Sequence, residues 1–234
     1  MNEILTRPGS HDHFVQLYGD REGLADSVAE YANAGLERGE AAILIATPEH
    51  RAAFLSRLKS ADGVVALDAE GTLQRFMANG MPQWKEFHAV VGGLIADLRL
   101  RYPAVRAYGE MVDVLWQRGE REAAIRLEEY WNELGRLQTF SLFCAYRMDP
   151  WDGAQYDGAL QSVCKVHSHL LPASDIGRYN AAVHVAMRKV LAGPLARIPL
   201  SMPGQAALFW LHQNMPRTAQ RVLSELRAGP STAD

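Results

Sequence analysis

Ala41-Ala42-Ile43-Leu44-Ile45-Ala46 runs directly into Thr47-Pro48-Glu49, and this stretch decides the fold. The first part is apolar at every position, without the alternation of a strand that keeps one face in water. Such a run is expected of a strand buried on both faces of a parallel sheet. The second part is a helix start. Thr47 can cap, Pro48 loses no needed N–H at the first helical position, and Glu49 suits the positive end of the helix dipole. A buried strand feeding a helix is the unit of a parallel α/β fold.

Reading outward, the same alternation recurs. His13 to Tyr18 is a β-compatible run, and from Arg21 the residues Leu24, Val28, Tyr31 and Ala32 fall at helical spacing up to Gly35 and Gly39. Phe54, Leu55 and Leu58 give the helix after Pro48 its apolar stripe. Val64 to Leu67 predicts a third strand, and Leu73, Phe76 and Met77 a short helix behind it. A long helix is expected from Pro82 to Arg101, with Trp84, Phe87, Val91, Leu94 and Leu98 on one face. Val105 to Tyr108 and Thr139 to Tyr146 complete the strands, with helices over Val112–Trp116 and Arg121–Leu137 between them. The expected architecture is three-layer α/β: a mostly parallel sheet with helices on both faces. Beyond Pro150 the pattern predicts only helices, over Leu160–Leu170, Ile176–Leu191, Pro203–Gln213 and Pro216–Arg227, as a C-terminal helical appendage.

Composition narrows the function. The chain has 234 residues, 48% of them apolar and 22% charged, which suits a folded globular protein. Lys and Arg number 24 against 27 Asp and Glu, a formal charge of −3, so direct nucleic-acid binding is not expected. Two cysteines, Cys144 and Cys164, exclude a disulfide framework. No signal-peptide core opens the chain and no run reaches the roughly 20 apolar residues of a membrane span, so a cytoplasmic address without membrane contact is expected.

The turn after the first strand is where a phosphate loop would lie. Tyr18-Gly19-Asp20-Arg21-Glu22-Gly23-Leu24 has neither the lysine nor the Ser/Thr of a Walker A loop. Asp20 and Glu22 put carboxylates where a phosphate would sit. Unit charges about 4 Å apart repel by roughly 4 kcal/mol at an effective dielectric near 20. No G-x-S-x-G, H-E-x-x-H or G-x-G-x-x-G element offers a catalytic alternative, and no catalytic residue is assigned.

Several segments together resemble a known family. They are His13-Phe14-Val15-Gln16-Leu17-Tyr18, Gly35-Leu36-Glu37-Arg38-Gly39-Glu40 and Ile43 to Arg51. To these are added Arg106-Ala107-Tyr108-Gly109-Glu110-Met111, Leu127 to Asn132 and Leu142-Phe143-Cys144-Ala145-Tyr146. The chain is similar here, over about residues 11–170, to the MEDS sensory domain of methanogens and methylotrophs, the type found in the dichloromethane-responsive repressor. The resemblance implies a RecA/KaiC-like core that has lost its P-loop. It also implies a non-catalytic sensor of small molecules, such as simple hydrocarbon derivatives, working beside a histidine kinase or transcription regulator. Residues 1–170 would form this sensory domain and 171–234 the helical extension.

Open parallel sheets bind ligands outside the carboxyl ends of their strands. Those ends carry Tyr18, Thr47, Asp68, Glu110, Cys144 and Tyr146. Tyr18, Arg106, Glu110, Cys144 and Tyr146 are therefore the candidate ligand-binding residues. Each has a structural alternative: an ion pair for Arg106, a helix start for Glu110, core filling for Cys144, and satisfied buried hydroxyls for the tyrosines. His11-x-His13 and His167-x-His169 lack helical ligand spacing, so no metal and no cofactor is expected, although Cys144 or Cys164 would suit one. Ala206, Leu208, Phe209, Trp210 and Leu211, with Val222, Leu223 and Leu226, form an apolar surface for the extension. It packs on the sheet, or it serves a protein partner or a homodimer. The remaining function classes are a nucleotide-using enzyme in the same crevice and a ligand-free adaptor.

Overall fold

The computed structural model describes residues 3–147, 163, 166–171, 177–191 and 204–227. Its centre is a six-stranded, wholly parallel sheet. The strands are β1 (His13–Tyr18), β2 (Ala41–Ala46), β3 (Val64–Asp68), β6 (Val105–Gly109), β7 (Ser141–Arg147) and β8 (His169–Leu171), in the order β3-β2-β6-β7-β1-β8. The short pair β4 (Met77–Ala78) and β5 (Met81–Pro82) is an antiparallel hairpin outside it. Its turn residues Asn79 and Gly80 both have positive φ, 52° and 76°, as a tight hairpin turn requires.

Helices cover both faces, and the connections decide which. After a short α1 (Glu3–Thr6), α2 (Arg21–Leu36) follows β1 and α3 (Pro48–Leu55) follows β2. Both lie on the face where Phe14, Leu24, Tyr31, Leu44, Phe54, Tyr108 and Phe143 are buried together. The opposite face takes α4 (Ala69–Gln74), α5 (Trp84–Phe87), α6 (Gly93–Arg99), α7 (Met111–Gln117) and α8 (Arg121–Leu137). A π-helical turn, His88–Gly92, joins α5 to α6, so the long helix foreseen from Pro82 to Arg101 is one continuous rod over Trp84–Arg99 with a local widening, while Pro82 itself belongs to β5. Every residue of β2 is buried, and truncating one such as Ile43 to Ala would cost about 2–5 kcal/mol.

Among the described residues three helices follow β8: α9 (Gly177–Val190), α10 (Gly204–Asn214) and α11 (Pro216–Arg227). Ala186, Met187, Leu208, Leu211, Val222 and Leu223 are buried in the same apolar cluster as β7 and α8. Of the expected helix Leu160–Leu170, residues 163 and 166–170 are described, and His169–Leu171 are a strand instead. They pair with Phe14, Val15 and Gln16 of β1 and extend the sheet by an edge. Cys164 and residues 192–203 lie outside the described residues.

Candidate functional site

β2 and β6 are neighbours in the sheet, but the chain leaves them in opposite directions, to α3 on one face and α7 on the other. That divergence opens a crevice at their carboxyl ends. Glu110, one residue past β6, is the bridge across it. Its carboxylate accepts the Thr47 main-chain N–H at 2.9 Å and His50 Nδ1 at 2.5 Å. The Thr47 hydroxyl also points at Glu110, 3.4 Å from each oxygen, and makes no cap bond to its own helix. Glu110 is buried, so these contacts hold a carboxylate that burial alone would penalise.

A second polar group lies beside the first. Asp113, in the first turn of α7, accepts from Gln117 Nε2 at 2.8 Å, from the Arg147 N–H at 3.0 Å and from the Tyr18 hydroxyl at 3.1 Å. Burial, with Glu110 adding to it, outweighs those hydrogen bonds and raises the Asp113 carboxyl to about 6. Burial, Asp113 and Glu110 likewise push the Tyr18 phenol upward, which keeps it a neutral donor. Tyr18 also meets His50 edge to face, and His50 stacks on Phe54. Around this floor the crevice encloses about 950 Å3. Its rim arginines are mostly spoken for: Arg21 pairs with Glu49 at 2.8 Å, and Arg118 with Glu70. Among the described residues the Arg147 guanidinium makes no ion pair.

The amides of the turn after β1 are bound by the chain itself. Asp20 caps α2, its carboxylate accepting the Glu22 N–H at 3.2 Å and the Gly23 N–H at 2.9 Å. Those amides are the ones a phosphate loop would present. Glu22 adds negative charge in the first turn and pairs with Arg57.

The five candidate residues fall in three neighbourhoods. Tyr18 and Glu110 line the crevice. Arg106 sits at the start of β6, at the other end of the sheet, where it donates to Glu40 Oε2 at 2.6 Å and to the carbonyls of Leu5, Tyr31 and Thr6. It also lies over the Tyr31 ring. Those contacts are the structural ion pair the sequence offered as its alternative. Cys144 and Tyr146 face the opposite side of the sheet from Tyr18, beneath α8.

There they meet His13 and His167, and with them Glu128, which no sequence motif marks. Tyr146 donates to Glu128 Oε1 at 2.6 Å, and Cys144 Sγ lies 3.7 Å from Glu128 Oε2. His13 Nε2 is 3.3 Å from Glu128 Oε2 and 3.4 Å from Cys144 Sγ, while His167 Nε2 is 3.4 Å from Glu128 Oε1. Burial raises the Cys144 thiol and the Tyr146 phenol, with Glu128 reinforcing both shifts. Burial, and then His13, lowers His167 to about 4, so it is neutral near pH 7. Glu128 had a visible signal. It occupies the apolar stripe of α8 beside Leu127, Trp131 and Leu134, where a carboxylate needs a reason to be. His50 and Asp113 carried no comparable mark, because each joins the crevice only through neighbours from another strand end.

Sheet order and switch point define an open α/β domain with a polar crevice at its strand ends. Residues 12–168 match the MEDS family, the MEthanogen/methylotroph, DcmR Sensory domain. The chain belongs to this family and carries its sensory domain, with α9 to α11 lying outside the matched range. No curated protein matches the sequence significantly. Among the described residues no helix is long and apolar enough to cross a membrane.

Proposed function

We propose that the crevice at the β2–β6 switch point binds a small organic molecule and relays its presence to a protein partner without chemical turnover. The observation that carries this reading is Glu110, a buried carboxylate joined at once to Thr47 and His50 on one side of the divergence and leading into α7 on the other. A molecule that hydrogen-bonds to Glu110 or displaces His50 changes how α3 and α7 are held, and these helices lie on opposite faces. Five carboxylates line the crevice (Glu22, Glu49, Glu70, Glu110 and Asp113) against three arginines. That balance favours a neutral or cationic ligand bearing a hydrogen-bond donor over a polyphosphate. A simple hydrocarbon derivative with one polar group fits that description.

The relay would end on a histidine kinase or transcription regulator, or on a second copy of the chain, docked through α10 and α11. Trp210 is 39% exposed beside the buried Leu208 and Leu211, which is the apolar handle such docking uses. Thermal denaturation against a metabolite panel tests the reading. A ligand at 100 times its dissociation constant adds about 2.7 kcal/mol, and Glu110→Gln should abolish that gain. A flat panel would favour a ligand-free adaptor, and magnesium-dependent ATP turnover would favour an enzyme.

A further inference from the structure

We propose that His13, Glu128, Cys144 and His167 form a binding site for one divalent transition-metal ion of the zinc class, beneath α8 and separate from the crevice. All four residues are buried, and one donor atom from each lies within 4.8 Å of the others. Zinc bonds of about 2.0–2.3 Å at tetrahedral angles place neighbouring donors about 3.3–3.8 Å apart. The contacts among His13 Nε2, Cys144 Sγ and Glu128 Oε2, at 3.3, 3.4 and 3.7 Å, fall in that window, and His167 Nε2 lies 3.4 Å from the other Glu128 oxygen. Two imidazoles, a thiolate and a carboxylate are a donor set that suits zinc and excludes calcium or magnesium, which take oxygen.

Hydrogen bonding behind the site aims both imidazoles inward. A carbonyl can only accept, so His167 Nδ1 donates to the Val163 carbonyl at 2.7 Å and its Nε2 carries a lone pair. Asn132 Nδ2 donates to the Val166 carbonyl at 3.0 Å, which turns Asn132 Oδ1 toward His13 Nδ1, also at 3.0 Å. His13 Nδ1 is therefore the donor, and a neutral His13 likewise presents the lone pair of Nε2. Such an outer hydrogen bond on each ligating histidine is the usual companion of a metal site. Tyr146 supports Glu128 in the same way.

His167 Nε2 is the atom that demands an explanation. Among the described residues it is buried without a hydrogen-bond partner, and it faces a carboxylate oxygen 3.4 Å away, lone pair to lone pair. An unmatched buried polar atom forfeits the hydrogen bond it would make in water and is destabilising. Protonating His13 would serve the other carboxylate oxygen and leave His167 as it is. A cation between the donors serves all four, with the Cys144 proton released to solvent. Access exists on the His13 side, where a hollow of about 380 Å3 is lined by His11, Asp12, His13, Asn132 and Arg136.

The test uses the untagged chain. After chelator treatment, with native circular dichroism confirmed, Co2+ is titrated in. The expected result is saturation at one equivalent, with a thiolate-to-cobalt charge-transfer band that Cys144→Ser abolishes and Cys164→Ser retains. Glu128→Gln and His167→Gln should each weaken Co2+ binding at least tenfold. X-ray absorption on the zinc-loaded wild type requires no variant to fold. It should show a single sulfur at about 2.3 Å with nitrogen or oxygen neighbours at about 2.0 Å. Failure of folded protein to bind Co2+ stoichiometrically, a band that follows Cys164 instead, or a shell without sulfur would overturn the site.

Discussion

The carboxylate of Glu110, just past β6, accepts the main-chain N–H of Thr47, just past β2, at 2.9 Å. One side chain thereby ties together the two strand ends at which the fold divides. The bond also explains why the Thr47 hydroxyl does not cap its own helix, since it too is turned toward Glu110. Replacing Glu110 with Ala leaves the Thr47 N–H and His50 Nδ1 without an acceptor. A loss of about 2–6 kcal/mol is expected, at about 1–3 kcal/mol for each of the two stranded groups. Urea unfolding measures it. Glu110→Gln should lose less than half as much, because its amide oxygen can still accept from Thr47.

Asp113 sets a pH dependence with a definite sign. Its carboxyl rises from 3.8 to about 6 on folding, chiefly through burial, among Tyr18 of β1, Glu110, Gln117 of α7 and Arg147 of β7. Between those values the folded state holds a proton that the unfolded state has released. This residue's contribution therefore falls as pH rises from about 4 to about 6, and is constant outside that window. Two units correspond to about 3 kcal/mol at most. Asp113→Asn cannot titrate, so the wild-type minus variant stability should decline across that range. A difference that is flat or rising with pH would refute this assignment.

Two glycines in helices should respond oppositely to alanine. A Cβ on Gly35 of α2 would lie 2.5 Å from Arg106 Cδ and Nε. Arg106 cannot yield cheaply, because Glu40 and the carbonyls of Leu5, Thr6 and Tyr31 fix it. Gly35→Ala should destabilise by about 1–3 kcal/mol, as overpacking does. A Cβ on Gly135 of α8 meets nothing within 4 Å, so Gly135→Ala should stabilise by about 0.5–1 kcal/mol. Differential scanning calorimetry of the two variants reads both signs.

Legibility followed burial. The β2 run was readable because both its faces are covered, and helix α8 because Leu127, Trp131 and Leu134 repeat on one side. Strand β8 was not readable. Its three residues start with an exposed histidine, and its only warrant is pairing with β1. The candidate site was half legible. Strand ends pointed to Tyr18 and Glu110, but grouping Cys144 and Tyr146 with them ignored the alternation of side chains. Tyr18 pairs with Arg147 in the register, so Tyr146 must face the other way. Arg106 lies a whole strand length from Glu110, as about 3.3 Å per residue requires.

The exposed Trp210 tests the role of the C-terminal helices. Trp210→Ser removes an apolar side chain that is 39% exposed, so stability should change by less than about 1 kcal/mol. If α10 joins two copies or holds a partner, light scattering of the full chain should show a smaller mass for the variant. Equal masses in both forms, across the concentration range, would count against a homodimer through this face.

Calorimetric titration of a panel hit, and separately of magnesium-ATP, into wild type and Glu110→Gln tests the central claim most directly. Recognition at the switch point predicts saturable heat from the small molecule in wild type, at least tenfold weaker binding in the variant, and no heat from the nucleotide. Tight nucleotide binding to wild type, or a small-molecule affinity that Glu110→Gln leaves untouched, would contradict it.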